Sequence, residues 1–248
     1  MVIPAAEESV PVPAAVVRLS PGWSREPVWR NDLGGLTFRL TRAGHEVRYC
    51  KWAPAGVALD LAAEVPRTRW AGRYVPVPVV LELGGDEQGS WLLTRALAGT
   101  TAVTDAWRAR PEVTVPALGR GLRALHEALP VADCPFDWSV PHRLARAVGP
   151  VADLRDPPPV DRLVVCHGDA CSPNTLLADD GAGGARVTGH VDLGGLGVAD
   201  RWADLAVATL ATGWNYGPGW EEPLLAAYGV DPDPVRTAYY RRLWHVGP

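Results

Sequence analysis

The sequence predicts an α+β protein in two lobes, a small antiparallel-sheet N-terminal lobe over residues 1–98 and a mainly helical C-terminal lobe over residues 99–248. Two patterns predict this class. Apolar residues alternate with a period of two in short segments before residue 98, as in strands, whereas leucines recur at helical spacing after it. The 248 residues are enough for two closely joined lobes with a substantial core.

The N-terminal lobe is predicted to consist mainly of strands. Four strands are predicted, at residues 36–40, 47–52, 73–83 and 90–96. In the second strand Lys51 shares a face with Val47 and Tyr49, because side chains alternate along a strand. Lys51 is also the single lysine among 24 basic residues. This indicates a position that needs a compact ammonium group rather than a guanidinium group, and the alternative is a lysine left by chance.

Two more features of this lobe bear on a ligand. Residues 31–35, Asn-Asp-Leu-Gly-Gly, predict a tight turn whose glycines let backbone N–H groups approach a ligand, although most such glycine pairs are only turns. A helix predicted over residues 57–70 carries Asp60 and Glu64 one turn apart. Pro66 removes a backbone donor inside this helix, so its end is not defined by the pattern.

The C-terminal lobe is predicted from helical patterns that surround a short strand and a hairpin. Two helices are predicted from apolar series, Leu118, Leu122, Leu125 and Leu129, then Val140, Leu144 and Val148. A strand at residues 163–166 follows, and strands at residues 175–178 and 185–191 flank a glycine-rich turn that suits a hairpin. Two last helices are predicted near residues 200–212 and 220–228.

Composition and charge indicate a folded cytoplasmic protein. The hydrophobic content of 47% is ordinary for a globular chain, and a net charge of −4 without a basic block predicts no nucleic-acid partner. Residues 1–19 predict a loose tail rather than a secretory signal, so the four cysteines are expected to be reduced. The uncharged residues 205–220 are too few to span a membrane. We expect a monomer or weak dimer.

The residues that carry chemistry follow the strand at residues 163–166. His167 and Asp169 open the pattern H-x-D-x-x-x-x-N, which ends at Asn174, and Asp192 follows beyond the hairpin. This order is that of the catalytic loop and the metal-binding acid of protein kinases. Phosphoryl transfer requires alignment and charge neutralisation. The pattern therefore predicts that Asp169 accepts a hydrogen bond from an attacking hydroxyl group, while Asn174 and Asp192 bind Mg²⁺.

Two alternatives apply to the same segment. Each Asp or Asn taken singly is a common turn residue that satisfies its own backbone. Cys166, His167 and Cys171 could instead bind zinc, although neighbouring residues on a strand point to opposite faces and no second cysteine pair lies nearby. The combination of acids, amide, hairpin and upstream lysine favours phosphoryl transfer, with His167 bracing the loop.

Three segments resemble the aminoglycoside phosphotransferases, particularly the 3′-phosphotransferases of the kanamycin and neomycin type. They are residues 165–174 (VCHGDACSPN), 189–194 (GHVDLG) and 197–206 (GVADRWADLA). The likeness extends to residues 134–137, 228–230 and 238–240, so it covers the larger lobe and, more loosely, the smaller one. The resemblance implies a protein-kinase-like fold of two lobes with ATP between them.

The same resemblance implies roles for individual residues. Lys51 would hold the α- and β-phosphates of ATP, and Glu64 would orient Lys51, with Asp60 as the alternative partner. Residues 91–98 would be the hinge, in which the backbones of Arg95 and Leu97 bond adenine. The catalytic aspartate and the magnesium ligands would be those predicted from the pattern, Asp169, Asn174 and Asp192.

The sequence departs from the family mainly where the acceptor would bind. Gly195 stands where the family usually carries an arginine, and the acidic loop before the His-Gly-Asp motif is shortened to residues 149–161. Trp244 and His245 stand roughly where the family has acidic residues. Three hypotheses follow: a kinase of aminoglycoside hydroxyl groups that confers antibiotic resistance, a kinase of another hydroxylated small molecule, and a catalytically silent nucleotide-binding scaffold. For the second, aromatic residues would line a less polar pocket, namely Trp202, Trp214, Tyr216 and Trp220.

Overall fold

The computed structural model describes residues 10–31, 33–154 and 156–247 and confirms the α+β class. The chain divides into two compact units. The first comprises Met1–Gly72 and Pro78–Leu97, and the second comprises Arg73–Val77 and Ala98–Pro248. In the described part of the chain, no helix is both long enough and apolar enough to cross a membrane.

The first unit contains a five-stranded antiparallel sheet. Its strands are β1 (Ser24–Arg30), β2 (Leu36–Thr41), β3 (Arg48–Pro54), β4 (Val79–Asp86) and β5 (Gly89–Arg95), in the spatial order β1-β2-β3-β5-β4. Strand β3 is therefore central, and its residue Lys51 is paired with Thr37 of β2 and Leu92 of β5. A central strand is held by hydrogen bonds on both sides, which gives Lys51 a rigid base.

Each face of this sheet is covered by one helix of the same unit. Helix α1 (Ala14–Leu19) contributes Val16 to a buried cluster that includes Cys50, and helix α2 (Leu61–Ala71) contributes Leu61 to a second cluster that includes Leu92. The two clusters draw on alternate residues of the strands, because successive side chains point to opposite faces. Lys51 follows the buried Cys50 and so projects from the α2 side of the sheet.

One prediction for the N-terminal part was wrong, and one strand there was not predicted. Strand β1 was not predicted, because it carries Arg25, Glu26 and Pro27 and lies at an edge of the sheet, where alternation of apolar residues is not required. Part of the expected loose tail is helix α1, which is stabilised by burial of Ala15 and Val16. Residues 1–9 of that tail lie outside the described residues.

Two boundaries also differ from the prediction. Helix α2 begins at Leu61 rather than at residue 57, because the side chain of Asp60 accepts hydrogen bonds from the N–H groups of Ala62 and Ala63 as an N-cap. The helix continues through Pro66 to Ala71, so burial of its apolar side chains outweighs the lost donor. The strand predicted from residue 73 begins only at Val79, because the preceding prolines cannot donate to a sheet.

The second unit is mainly helical. Its helices are α3 (Asp105–Arg108), α4 (Pro111–Ala128), α5 (Val140–Arg146), α6 (Trp202–Tyr216), α7 (Glu221–Tyr228) and α8 (Pro234–His245). Helix α6 is buried along most of its length and packs against α7 and α8, while α4 packs against α7. The four helices predicted here correspond to α4, α5, α6 and α7. Helix α8 was not predicted, because its arginines and tyrosines do not form a clear apolar stripe.

Short strands in this unit hold the motif residues. They are β6 (Thr100–Thr101), β7 (Leu163–Cys166), β8 (Thr175–Asp179), β9 (Ala185–His190) and β10 (Gly197–Asp200). Strand β7 pairs antiparallel with β10, and β8 lies between β6 and β9. The predicted hairpin is confirmed as β8 and β9, with Thr175 opposite His190. The hairpin therefore brings the residues just before β8 and just after β9 to the same end.

Two helical glycines give a test of this packing. A Cβ atom at Gly119 of α4 would overlap the carbonyl oxygen of Leu224 in α7, whereas a Cβ at Gly213 of α6 meets nothing within 4 Å. We expect Gly119→Ala to lower the free energy of unfolding by about 1–3 kcal/mol because the helices must separate. Gly213→Ala should raise it by about 0.5–1 kcal/mol through helix propensity. Urea unfolding measures both, and a stabilising Gly119→Ala would contradict the described α4–α7 contact.

Candidate active site

The loop after β7 carries the first motif residues in a conformation that requires glycine. Strand β7 ends at Cys166, and Gly168 has a positive φ of 84°. A Cβ atom at Gly168 would also overlap the carbonyl oxygen of Gly195. Both the left-handed backbone and this close approach exclude a side chain between His167 and Asp169. The central glycine of the motif is therefore a structural requirement of the loop.

The buried carboxylate of Asp204 holds this loop by hydrogen bonds to its backbone. Its Oδ2 atom accepts a hydrogen bond from the backbone N–H of His167 at 2.6 Å, and its Oδ1 atom accepts one from Gly168 at 2.9 Å. The Nε2 atom of His126 in α4 lies 2.9 Å from Oδ2 of Asp204, and Nδ1 of His126 lies 2.8 Å from the hydroxyl of Tyr228 in α7. Side chains of α4, α6 and α7 thus converge on one loop.

The hydrogen bonds keep Asp204 ionised despite its burial. Its side chain is fully buried, and burial by itself raises the pKa of a carboxyl group. The hydrogen bond with His126, together with the N–H of His167, outweighs that effect and lowers the pKa of Asp204 below its ordinary value. A charged acceptor of this kind makes stronger hydrogen bonds than a neutral one.

His167 braces the loop through its ring, as predicted. Its Nε2 atom lies 2.9 Å from the carbonyl oxygen of Val191, and the backbone N–H of Asp169 donates to its Nδ1 atom at 3.3 Å. In this arrangement Nε2 donates to the carbonyl oxygen and Nδ1 accepts from the backbone. His167 therefore joins the loop to the segment after β9, where Asp192 lies.

The structure brings Asp169, Asn174 and Asp192 together. The side-chain nitrogen of Asn174 donates to the carbonyl oxygen and to the Oδ2 atom of Asp169, both at 3.0 Å. The backbone N–H of Val191 donates to the carbonyl oxygen of Asn174 at 2.9 Å. Asp192 adopts a left-handed conformation, with φ 64° and ψ 52°, and is the one non-glycine residue of the described ranges with positive φ. Such backbone strain occurs preferentially at functional sites.

The electrostatics of this cluster match a site for a bound cation. Burial raises the pKa of Asp169, and the nearby negative charge of Asp192 raises it further. Oδ1 of Asp169 is buried and accepts no hydrogen bond from a nitrogen or hydroxyl group of the described residues, and the Cys171 thiol is the weak donor beside this carboxylate. Because Asn174 uses its nitrogen toward Asp169, its amide oxygen is left as a potential ligand. Carboxylate and amide oxygens are the donors that Mg²⁺ prefers, so these residues fit a magnesium ion.

The predicted lysine pair lies in the first unit. Nζ of Lys51 lies 2.8 Å and 2.7 Å from the two carboxylate oxygens of Glu64 in α2. The Glu64 side chain is 9% exposed, and that of Lys51 is 25% exposed. The alternative partner Asp60 is instead the N-cap of α2. Because both carboxylate oxygens of Glu64 contact the ammonium group of Lys51, the direction of the Lys51 side chain is restricted.

Other predicted nucleotide contacts lie at the end of β5 and in the turn before β2. Arg95 is the last residue of β5, and its side chain pairs with Glu46 at 2.9 Å. The roles predicted for Arg95 and Leu97 stay predictions. In the glycine turn, Oδ1 of Asn31 accepts hydrogen bonds from Leu33 at 3.1 Å and Gly35 at 2.7 Å, so the turn is closed by its own side chain. Asp32 lies outside the described residues.

A different set of potential metal ligands occurs beneath the loop. His126, Cys166 and Asp204 each have a ligand atom within 4.8 Å of the others, and all three residues are buried. Hydrogen bonds already occupy His126 and Asp204, and burial raises the pKa of the Cys166 thiol well above its ordinary value. A protonated thiol is a poor zinc ligand. We interpret this cluster as structural support for the loop.

Sequence reasoning did not assign a role to Asp204, His126 or Tyr228. A signal was present for two of them. Asp204 is a carboxylate inside the apolar helix α6, and His126 lies beside the leucine series of α4. Buried polar groups require hydrogen-bond partners, so each position indicated a partner elsewhere in the chain. The identity of that partner depended on the packing of α4, α6 and α7.

The sequence matches the family described as the phosphotransferase enzyme family over residues 15–157 and 143–240. It is 36% identical to an aminoglycoside 3′-phosphotransferase of Streptomyces fradiae, in an alignment that covers 86% of this chain and 91% of the relative. These values extend the likeness well beyond the motif segments.

Solved structures agree with this likeness. A crystal structure of an aminoglycoside 3′-phosphotransferase of type VIII has a TM-score of 0.74 and 32% identity, and covers 92% of this chain and 95% of that one. The aminoglycoside phosphotransferase APH(3″)-Id from Streptomyces rimosus, in complex with ADP and streptomycin, has a TM-score of 0.64 and 30% identity, and covers 90% of this chain and 92% of that one.

Two buried carboxylates allow a matched test of the loop support. Asp204 and Asp200 each accept two backbone N–H groups, but those of Asp200 belong to Trp202 and Asp161. We expect Asp204→Asn and Asp200→Asn each to lower the free energy of unfolding by about 1–3 kcal/mol. Only Asp204→Asn should also speed amide exchange at His167 and Gly168, as measured by hydrogen-exchange mass spectrometry. Equal acceleration in both variants, after correction for stability, would contradict the assigned support.

Proposed function

This chain belongs to the phosphotransferase enzyme family, and we propose that it transfers the γ-phosphate of ATP to a hydroxyl group of an aminoglycoside antibiotic, which confers resistance. One observation carries the proposal. Asp169, Asn174 and Asp192 lie together, and Oδ1 of Asp169 accepts no hydrogen bond from a nitrogen or hydroxyl group of the described residues, in a chain 36% identical to an aminoglycoside 3′-phosphotransferase. The cluster supplies the chemistry, and the relatives supply the class of acceptor.

Asp169 is the proposed catalytic residue. Its Oδ1 atom accepts the hydrogen bond of the acceptor hydroxyl and aligns that oxygen with the γ-phosphorus. The new bond forms between the hydroxyl oxygen and the γ-phosphorus, and the bond from the γ-phosphorus to the oxygen bridging it to the β-phosphate breaks. The hydroxyl proton passes to Asp169, and ADP leaves with the bridging oxygen. The Asn174 amide donates to Oδ2, which leaves Oδ1 as the carboxylate oxygen for the acceptor hydroxyl.

Asn174 and Asp192 are the proposed magnesium ligands. When bound, Mg²⁺ supplies positive charge that neutralises the phosphate oxygens of the nucleotide. The protein holds the amide oxygen of Asn174 and the carboxylate of Asp192 as ligands. The backbone hydrogen bond from the N–H of Val191 to the carbonyl oxygen of Asn174 keeps these two residues next to each other. The left-handed backbone conformation of Asp192 sets the direction in which its carboxylate leaves the chain.

Residues 1–98 are proposed to bind the nucleotide, and residues 99–248 to carry out catalysis and bind the acceptor. Lys51 holds the α- and β-phosphates as a compact charge, and Glu64 restricts the direction of its side chain. The backbones of Arg95 and Leu97 hydrogen-bond adenine. These roles follow the family resemblance, and the Lys51–Glu64 ion pair supports the first of them.

Mass spectrometry of the acceptor tests this function. We expect kanamycin, neomycin or streptomycin to gain one phosphate group after incubation with the protein, ATP and Mg²⁺. Asp169→Asn should lower kcat by about a thousandfold, because an amide cannot accept the hydroxyl proton, while ADP binding stays nearly unchanged. Asp180→Asn is the matched control. Asp180 lies in the exposed hairpin turn, where its side chain accepts hydrogen bonds from the N–H groups of Ala182 and Gly184 in the same turn.

Two outcomes would count against the proposal. Transfer to another alcohol with no aminoglycoside modified would select the hypothesis of a different small-molecule acceptor. Nucleotide binding without transfer to any acceptor would select the silent scaffold. The phosphorylated position follows from fragmentation of the product, because the relatives include both a 3′-phosphotransferase and a 3″-type enzyme.

A double-mutant cycle tests the lysine pair. We expect Lys51→Met and Glu64→Gln each to weaken ADP binding about tenfold, the scale of one charge-assisted hydrogen bond. The double variant should bind ADP no more weakly than the single variant with the lower ADP affinity, because the two side chains act as one unit. Calorimetric titration with ADP measures all four proteins. Glu26→Gln is the control, since Glu26 forms an exposed ion pair with Arg39 of the same unit. Additive losses would show that Lys51 and Glu64 act independently.

A further inference from the structure

The peptide groups on both sides of Asn174 are held by hydrogen bonds. Before this residue, the carbonyl oxygen of Pro173 accepts a hydrogen bond from Oγ1 of Thr101 at 2.8 Å, and the N–H of Asn174 donates to the carbonyl oxygen of Cys171 at 3.0 Å. After it, the carbonyl oxygen of Asn174 accepts the N–H of Val191 at 2.9 Å. A peptide group is planar, so bonds to its carbonyl and N–H groups fix its orientation. Together these bonds set the direction in which the Asn174 side chain leaves the chain.

The hydroxyl group of Thr101 comes from a distant part of the chain. Thr101 lies in strand β6, close to Ala98, where the long segment of the second unit begins, and it is separated from Pro173 by 72 residues. The other bonds to the peptide groups around Asn174 come from residues nearer in sequence, Cys171 and Val191. Thr101 therefore anchors the short turn Ser172–Asn174 to a different element of the fold.

Strand β6 holds the Thr101 hydroxyl group in a defined place. Thr101 is paired with Leu176 of β8. The next residue, Ala102, is fully buried, and its N–H donates to the carbonyl oxygen of Thr175 at 3.0 Å. The hydroxyl group of Tyr216, the last residue of α6, donates to the carbonyl oxygen of Ala102 at 2.8 Å. Because threonine is also branched at Cβ, its side chain has few alternative rotamers.

These contacts separate the effect of the Thr101 hydroxyl group from the stability of β6. Both backbone groups of Ala102 are hydrogen-bonded whether or not the hydroxyl group is present. Loss of the hydroxyl group is therefore expected to release the carbonyl of Pro173 rather than to displace β6. The peptide group that becomes less restricted is the one that precedes Asn174.

We propose that Thr101 is a positioning residue for Asn174, and that it acts through the carbonyl oxygen of Pro173. This inference rests on the proposed function, in which Asn174 and Asp192 bind Mg²⁺. The bond from Thr101 keeps Asn174 in the orientation in which its amide nitrogen donates to Asp169 and its amide oxygen is left for the cation. Groups that orient a metal ligand contribute to metal affinity although they do not touch the metal.

Magnesium-dependent binding of ADP by the full chain tests this proposal. Calorimetric titrations with ADP at a series of MgCl₂ concentrations give the Mg²⁺ concentration at which the gain in ADP affinity is half complete. We expect Thr101→Val and Thr101→Ala, which remove the hydroxyl group, to raise this concentration about tenfold. Thr101→Ser keeps a hydroxyl group and should stay within about twofold of the unsubstituted protein.

Hydrogen-exchange mass spectrometry gives a second readout that needs neither a metal nor a nucleotide. We expect faster amide exchange over residues 172–176 in Thr101→Val than in Thr101→Ser, because the turn that carries Asn174 is less restricted.

Thr114→Val is the matched control for a general loss of stability. The hydroxyl group of Thr114 in α4 donates to the carbonyl oxygen of Trp107 at 2.9 Å, and Thr114 is fully buried. The substitution therefore removes the same kind of hydrogen bond at a position that does not bond the turn. We expect it to lower the unfolding temperature and to leave the Mg²⁺ dependence of ADP binding unchanged.

Three results would overturn the proposal. The first is an unchanged Mg²⁺ dependence in both Thr101→Val and Thr101→Ala. The second is an equal shift in Thr114→Val, which would assign the effect to lost stability. The third is a shift in Thr101→Ser as large as that in Thr101→Val, which would show that the hydroxyl group is not the cause. ADP binding by the unsubstituted protein that does not depend on Mg²⁺ is a separate result, which would overturn the proposed metal ligands and this inference with them.

Discussion

The arrangement of the second unit depends on one buried carboxylate. Asp204 is fully buried and carries a charge, a combination that is unfavourable unless donors surround it. The donors are the N–H groups of His167 and Gly168 and the ring of His126, which Tyr228 in turn contacts. Because two of these donors belong to the loop that carries Asp169, the same hydrogen bonds stabilise the helical core and fix the position of Asp169.

The loop above Asp204 combines close backbone packing with an unsatisfied acceptor. Gly168 and Gly195 approach so closely that a Cβ atom at Gly195 would lie 3.3 Å from the backbone of Gly168. At Gly195 the backbone itself packs against the loop. Beside this contact, Asp169 retains a buried oxygen that no nitrogen or hydroxyl donor of the described residues contacts, and Asp192 adopts a left-handed backbone conformation. Both features cost free energy in the protein alone and are compatible with a site that binds a hydroxyl group and a cation.

Around Asp169 the hydrogen bonds are few, partly buried and directional. Directional bonds of this kind suit a transfer geometry that every substrate shares.

The sequence by itself determined the class of the fold, most strands and helices, and the motif of Asp169, Asn174 and Asp192. These features depend on alternation, helical spacing and turn residues, which act over a few positions of the chain. It did not determine strand β1, helix α1 or helix α8, whose formation depends on what they pack against. Only the tertiary structure decided that His126 and Tyr228 meet Asp204, and that Trp214 meets Trp244. These residues come from helices separated in sequence, so their contacts follow from helix packing and not from any local pattern.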